Sequence, residues 1–144
     1  MTAGRVFVFG TLKQGFPNFG SNAGVRLPGD FATVQRYPLY LVGERHSPWL
    51  VDAPGEGEYV LGQVFDVTPA ALQRLDLLER IGEPDGYRRV EIDVRPQGAA
   101  AAAAQRVHAY LKPARQLAGA MIMAGPLPEY TLAHAGLYRR RSAA

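Results

Sequence analysis

Val6-Phe7-Val8-Phe9-Gly10-Thr11-Leu12 is the stretch on which the fold turns. Four bulky apolar residues in succession, closed by glycine, predict a strand buried on both faces. A glycine at position 10 lets the main chain turn where a Cβ would clash, and lets a ligand come close to the backbone. Thr11, Leu12 and Lys13 follow at once. A strand-to-loop corner of this kind presents successive N–H groups that no neighbouring strand claims. Amides aimed one way make a nest for a carboxylate or an oxyanion. The alternative is that Gly10 does no more than open a tight turn.

The surrounding chain of 144 residues has the length of one domain with a proper core, and a single domain over residues 1–144 is expected. Its 47% hydrophobic and 20% charged residues place it among ordinary globular chains. The formal charge of +3 is mild, and part of it sits in Arg139-Arg140-Arg141. A short basic terminus of this kind is expected to be solvated, so no nucleic-acid partner is expected. Cysteine is absent, which removes disulfides and a thiol nucleophile and fits a reducing compartment. The first residues carry no apolar run with a small-residue cleavage site, and no apolar stretch reaches membrane-spanning length. The expected compartment is the cytoplasm, without a membrane partner, and the expected state is a monomer or weak homodimer.

The scarce residue types narrow the chemistry. His46, His108 and His134 have no ligand-like spacing, and Ser21, Ser47 and Ser142 do not sit in a Gly-x-Ser-x-Gly elbow. Neither Gly-x-x-x-x-Gly-Lys nor Gly-x-Gly-x-x-Gly occurs. Zinc catalysis, serine hydrolysis and nucleotide-dependent chemistry are therefore disfavoured, and no cofactor is expected. Carboxylate chemistry, or binding alone, remains.

Along the chain, Gln14 to Gly24 reads as a long loop whose Phe16 and Phe19 fold back onto the body. Strands are expected at Phe31–Val34, Pro38–Val42, Pro48–Val51, Tyr59–Val67, Tyr87–Arg95 and Gln105–Lys112. Trp49 in the third of these is either core or the wall of a pocket. Gly98 and the alanines 99–104 read as a variable hairpin loop. Thr68-Pro69 opens a helix running to about Arg80 and closed by Gly82. A short helix is expected over Gln116–Ala124 and a final one over Glu129–Leu137. The order predicts an α+β fold, a mostly antiparallel mixed sheet curled into a small β-barrel with flanking α-helices.

The central helix holds the candidate for chemistry. Leu72, Leu75 and Leu78 form one apolar stripe at about 100° per residue. Glu79 projects between Leu72 and Leu75, onto the apolar face. Burial there raises a carboxyl pKa, and the negative end of the helix acts in the same direction. Such a carboxylate suits general acid–base work near neutral pH. The competing reading is an ion pair with a buried arginine such as Arg89. Glu83, four residues on, reads as a solvated loop residue.

The corner and the buried glutamate coincide with further motifs. Val6 to Lys13 is followed by Gly15 and Pro17-Asn18, then Tyr37-Pro38-Leu39, Gly43 to Leu50 and Gly62-Gln63-Val64-Phe65. Leu75-Asp76-Leu77-Leu78-Glu79, Tyr87-x-Arg89 and Tyr110 complete the series. In their order and spacing these residues resemble the gamma-glutamylcyclotransferase-like family, and within it the gamma-glutamylamine cyclotransferases. Phe9 departs from the tyrosine that the family carries before Gly-Thr-Leu, keeping the ring and losing the hydroxyl.

The resemblance implies a small mixed barrel and a cofactor-independent reaction. In that reaction the α-amine of a gamma-glutamyl amide attacks its own γ-carbonyl, giving 5-oxoproline and a free amine. The family's catalytic glutamate falls on Glu79. Phe9, Gly10, Thr11, Leu12, Trp49, Tyr87 and Tyr110 are expected to line the substrate site. A small-molecule gamma-glutamyl amide is the expected partner. The alternatives are a cyclotransferase acting on gamma-glutamyl-amino acids or on a gamma-glutamylated biosynthetic intermediate, and a barrel that only binds.

Overall fold

In the computed structural model, which describes residues 4–98 and 102–140, the opening apolar run forms β1 (Gly4–Val8). Val6, Phe7, Val8 and Phe9 are all buried, as a strand with neighbours on both faces requires. β1 runs antiparallel to β6 (Leu61–Val67), with Phe7 opposite Val64, and parallel to β8 (Gln105–Leu111). β8 pairs with β7 (Arg88–Pro96), β7 with β3 (Phe31–Thr33), and β3 returns to β6. The circuit closes a five-stranded mixed barrel, which the short β2 (Val25–Arg26) extends beside β6. Phe7, Phe31, Val64, Ile92, Val94 and Val107 fill its interior.

A smaller antiparallel sheet lies in the order β5 (Ser47–Leu50), β4 (Leu39–Val42), β9 (Ile122–Ala124). β9 corrects the expectation of a helix over Gln116–Ala124. One 3-10 turn at Ala114–Leu117 is broken by Gly119 with φ +78°, and the chain then pairs with β4. The open edge of β4 offers ladder partners that a short isolated helix could not match.

The loop after β1 folds back as expected. Phe16 meets Tyr130 at 5.8 Å between ring centroids, and Phe19 meets Phe65 at 6.1 Å. Alanines 99–101 of the hairpin loop lie outside the described residues, as does Arg141 of the basic terminus.

α1 spans Pro69–Leu78, with the Thr68 hydroxyl accepting from the Ala71 amide at 3.1 Å. It packs Ala71, Leu72 and Leu75 onto Val6, Val8, Phe65 and Val67. Leu78 does not join that stripe. It is 44% exposed and Leu77 is 80% exposed, because the helix ends at this point and its last turn overhangs a cavity instead of the barrel. Leu75→Ala is expected to lower the unfolding free energy by about 2–5 kcal/mol, read as a fall in the urea midpoint.

The final helix is shorter than predicted. α2 covers only Leu132–Ala135, begun by Thr131 and His134, whose backbone N–H and ring Nδ1 meet at 2.9 Å. Beyond it the chain returns to the turn between β4 and β5, where the Arg139 amide donates to the Arg45 carbonyl at 2.9 Å. Among the described residues no helix is long and apolar enough to cross a membrane.

Candidate active site

The end of α1 is built to hold Glu79 in place. The Glu79 amide donates to the Leu75 carbonyl at 2.9 Å, and its carbonyl accepts from the Tyr87 amide at 3.0 Å. The helix is not closed by Gly82. Arg80 takes the left-handed conformation with φ +59°. Its amide reaches the Leu77 carbonyl at 3.1 Å and the Ile81 amide reaches the Asp76 carbonyl at 3.1 Å, a Schellman closure. Glycine normally fills that position because a side chain strains it. Here Asp85 binds the Arg80 guanidinium at 2.9 Å, and Gly86 packs beneath the Arg80 carbonyl.

The Glu79 side chain faces a cavity of about 880 Å³, whose lining includes Gly10, Thr11, Leu12, Trp49, Tyr87 and Lys112. Desolvation pushes its pKa up to about 7, opposed by the positive charge of Lys112. The ion pair with Arg89 does not form. Arg89 binds Asp76 at 2.7 Å, one turn earlier on the helix. Glu83 is exposed, as expected.

The raised pKa makes Glu79 a cost to stability when ionised. Folding lifts it from an ordinary 4.5 to about 7, so the folded chain binds more protons than the unfolded one between those values. Stability contributed by this group is therefore full below about pH 4.5 and falls as pH rises towards 7. The loss approaches about 3 kcal/mol. Glu79→Gln is expected to unfold at higher urea than wild type at pH 8, with the gap closing by pH 5. No gap at either pH would contradict the burial of this carboxyl.

The corner after β1 also faces the cavity. Its carbonyls are claimed from behind: Lys13 donates to the Gly10 carbonyl at 3.1 Å, Asn18 to the Thr11 carbonyl at 2.8 Å and the Asn22 side chain to the Leu12 carbonyl at 3.1 Å. The amides of Gly10, Thr11 and Leu12 donate to no group among the described residues. Glycine at position 10 answers a close approach, since a Cβ there would lie 2.8 Å from Pro48 Cγ.

The aromatic residues form walls. Trp49 is half-buried and belongs to the cavity, not to the core. The Lys112 ammonium sits 4.4 Å from the Trp49 ring centroid and 4.5 Å from that of Tyr87. The Tyr87 hydroxyl donates to the Pro48 carbonyl at 2.7 Å and that of Tyr110 to Asp76 at 2.6 Å, so both engage the protein. Phe9 is buried at the cavity wall and brings a ring alone.

Comparison with known proteins agrees with this geometry. The family described as gamma-glutamyl cyclotransferase, AIG2-like, matches residues 6–140. This chain belongs to that family. A rat protein named gamma-glutamylaminecyclotransferase is 38% identical over 96 residues, 63% of each chain. The human protein of that name is 37% identical over 95 residues, 62% of this chain and 61% of its own. The matched stretch thus spans less than two thirds of the length of these relatives. The crystal structure of an AIG2-like protein from mouse superposes with a TM-score of 0.79 at 27% identity, covering 98% of both chains. The mixed barrel is therefore the fold of the AIG2-like cyclotransferases.

Lys112 and Asn18 are among the cavity residues that the sequence did not single out as site residues. Lys112 lies just past β8, two positions after Tyr110, so strand alternation puts it on the Tyr110 face. Asn18 lines the cavity and donates through its side chain to the Thr11 hydroxyl at 3.0 Å.

Proposed function

We propose that this cavity closes the glutamyl half of a gamma-glutamyl amide onto itself, releasing 5-oxoproline and an amine. The observation that carries the reading is that Glu79, with its raised pKa, shares one cavity with the three undonated amides of Gly10, Thr11 and Leu12. The Glu79 carboxylate takes a proton from the substrate's α-ammonium. The freed amine attacks the γ-carbonyl carbon, and the carbonyl oxygen becomes an oxyanion. Glu79 then returns the proton to the departing nitrogen as the C–N bond breaks, and the extra proton left on the new ring nitrogen passes to the released amine, which leaves as an ammonium. The corner amides bind the substrate carboxylate or that oxyanion. Both reacting groups belong to one molecule, so holding it bent supplies much of the rate. The names of the rat and human relatives support a gamma-glutamylamine as substrate.

A second reading, a gamma-glutamyl-amino acid as substrate, is favoured by Arg45 and Arg140. Both line the cavity, and neither pairs with a carboxylate among the described residues. The discriminating experiment follows 5-oxoproline by mass spectrometry from gamma-glutamyl-ε-lysine and from gamma-glutamyl-alanine. Release from the lysine compound alone supports the amine reading, and release from the dipeptide alone supports the second. Release from neither leaves a barrel that only binds.

A further inference from the structure

Lys112 is a lysine only 6% exposed, although a four-carbon side chain ordinarily carries its ammonium out to water. Its backbone is fixed on both sides: its amide donates to Leu50 at 2.7 Å and its carbonyl accepts from the Asp52 amide at 2.9 Å. Its ammonium lies against the Trp49 and Tyr87 rings and donates to the Asp85 carbonyl at 2.6 Å and to Gln116 Oε1 at 3.2 Å. Gln116 in turn donates to the Pro84 and Gly86 carbonyls at 3.2 and 3.0 Å. One buried cation thus ties the 84–86 loop, which runs back into the Tyr87–Glu79 hydrogen bond, to two walls of the cavity.

We infer that Lys112 is a positioning residue for Glu79, a buried cation that fixes the 84–86 loop behind the carboxylate and places a positive charge in its cavity. The inference rests on the reading of Glu79 as the acid–base group. Other charged groups nearby are already committed. Arg80 is turned to Asp85 at 2.9 Å, and Asp76 holds Arg89 and the Tyr110 hydroxyl. The Tyr87 hydroxyl faces Pro48. Glu44, Arg45 and Arg140 line the same cavity, and Lys112 is the cation that opposes the desolvation of Glu79.

The test uses Lys112→Gln, which keeps a donor for the Asp85 carbonyl and drops the charge, and Lys112→Arg, which keeps the charge. Lys112→Met serves if the amide is not tolerated. Glu79 is titrated by the 13C shift of its labelled carboxyl carbon, assigned against Glu79→Gln. The acid limb of kcat/KM for 5-oxoproline release is recorded alongside. Both midpoints are expected to rise by about one pH unit in Lys112→Gln and to stay near the wild-type value in Lys112→Arg. An unmoved carboxyl midpoint in Lys112→Gln overturns the inference and leaves Lys112 a loop anchor only. If wild type releases no 5-oxoproline from any gamma-glutamyl amide, the proposed activity falls, and the carbon titration still decides the coupling of Lys112 to Glu79.

Discussion

Glu79→Gln is expected to lower kcat/KM for 5-oxoproline release by between about a hundredfold and ten thousandfold, with the barrel intact. Glutamine matches the shape of the side chain and keeps a carbonyl oxygen, but it cannot accept a proton from an ammonium. The surroundings permit the exchange: no salt bridge among the described residues involves Glu79, and its backbone bonds to Leu75 and Tyr87 do not depend on its side chain. The same substitution removes the penalty of an ionised carboxylate in a desolvated site, so lost activity and raised stability at pH 8 are expected together. That pairing separates a catalytic acid from a structural one, whose loss would lower both. Near-wild-type turnover would remove Glu79 from the chemistry. Loss of activity with lower stability would mark it as structural.

The second large effect is expected at a glycine that carries no reacting group. A Cβ built on Gly86 lies 1.9 Å from the Arg80 carbonyl oxygen and 2.8 Å from its carbonyl carbon. Backbone cannot yield to such a contact as the tip of a flexible side chain can, so Gly86→Ala must push the Arg80 turn away. Arg80 is the residue that closes α1 directly after Glu79, and Tyr87, next to Gly86, holds the Glu79 carbonyl at 3.0 Å. The displacement therefore reaches the carboxyl. A shift of about 1 Å is enough for a loss of roughly a hundredfold in rate, and overpacking adds about 1–3 kcal/mol of destabilisation. Both are expected, read as kcat/KM and as the urea midpoint of the folded variant. Wild-type activity in Gly86→Ala would mean that the turn adjusts without moving Glu79.

How much of this was legible in the sequence depended on the kind of signal. β1, β6, β7 and β8 announce themselves by apolar runs and alternation, and the barrel follows from their order. Glu79 was singled out by helical projection, and its acid–base role came with the family resemblance. The projection failed one residue earlier, at Leu78, because it assumes a helix that continues and a core that continues beneath it. Gly82 looked like the helix stop because glycine fits the left-handed position cheaply. Arg80 takes that position because Asp85 and Gly86 hold it there, and those contacts come from a later loop that local sequence does not place. The apolar residues of β9 looked helical for a similar reason, since the edge of β4 lies about eighty positions away in sequence. Lys112 carried no local mark either. A lysine after a strand reads as solvated until Trp49 and Tyr87 are known to close over it.

The central claim is that a desolvated Glu79 is the base that starts ring closure. The measurement that tests it most directly is kcat/KM for 5-oxoproline release from a gamma-glutamyl amide as a function of pH. The account predicts an acid limb with its midpoint near pH 7, set by Glu79 in the free enzyme. A limb at the ordinary glutamate value of 4.5, or a profile flat through neutral pH, would contradict it.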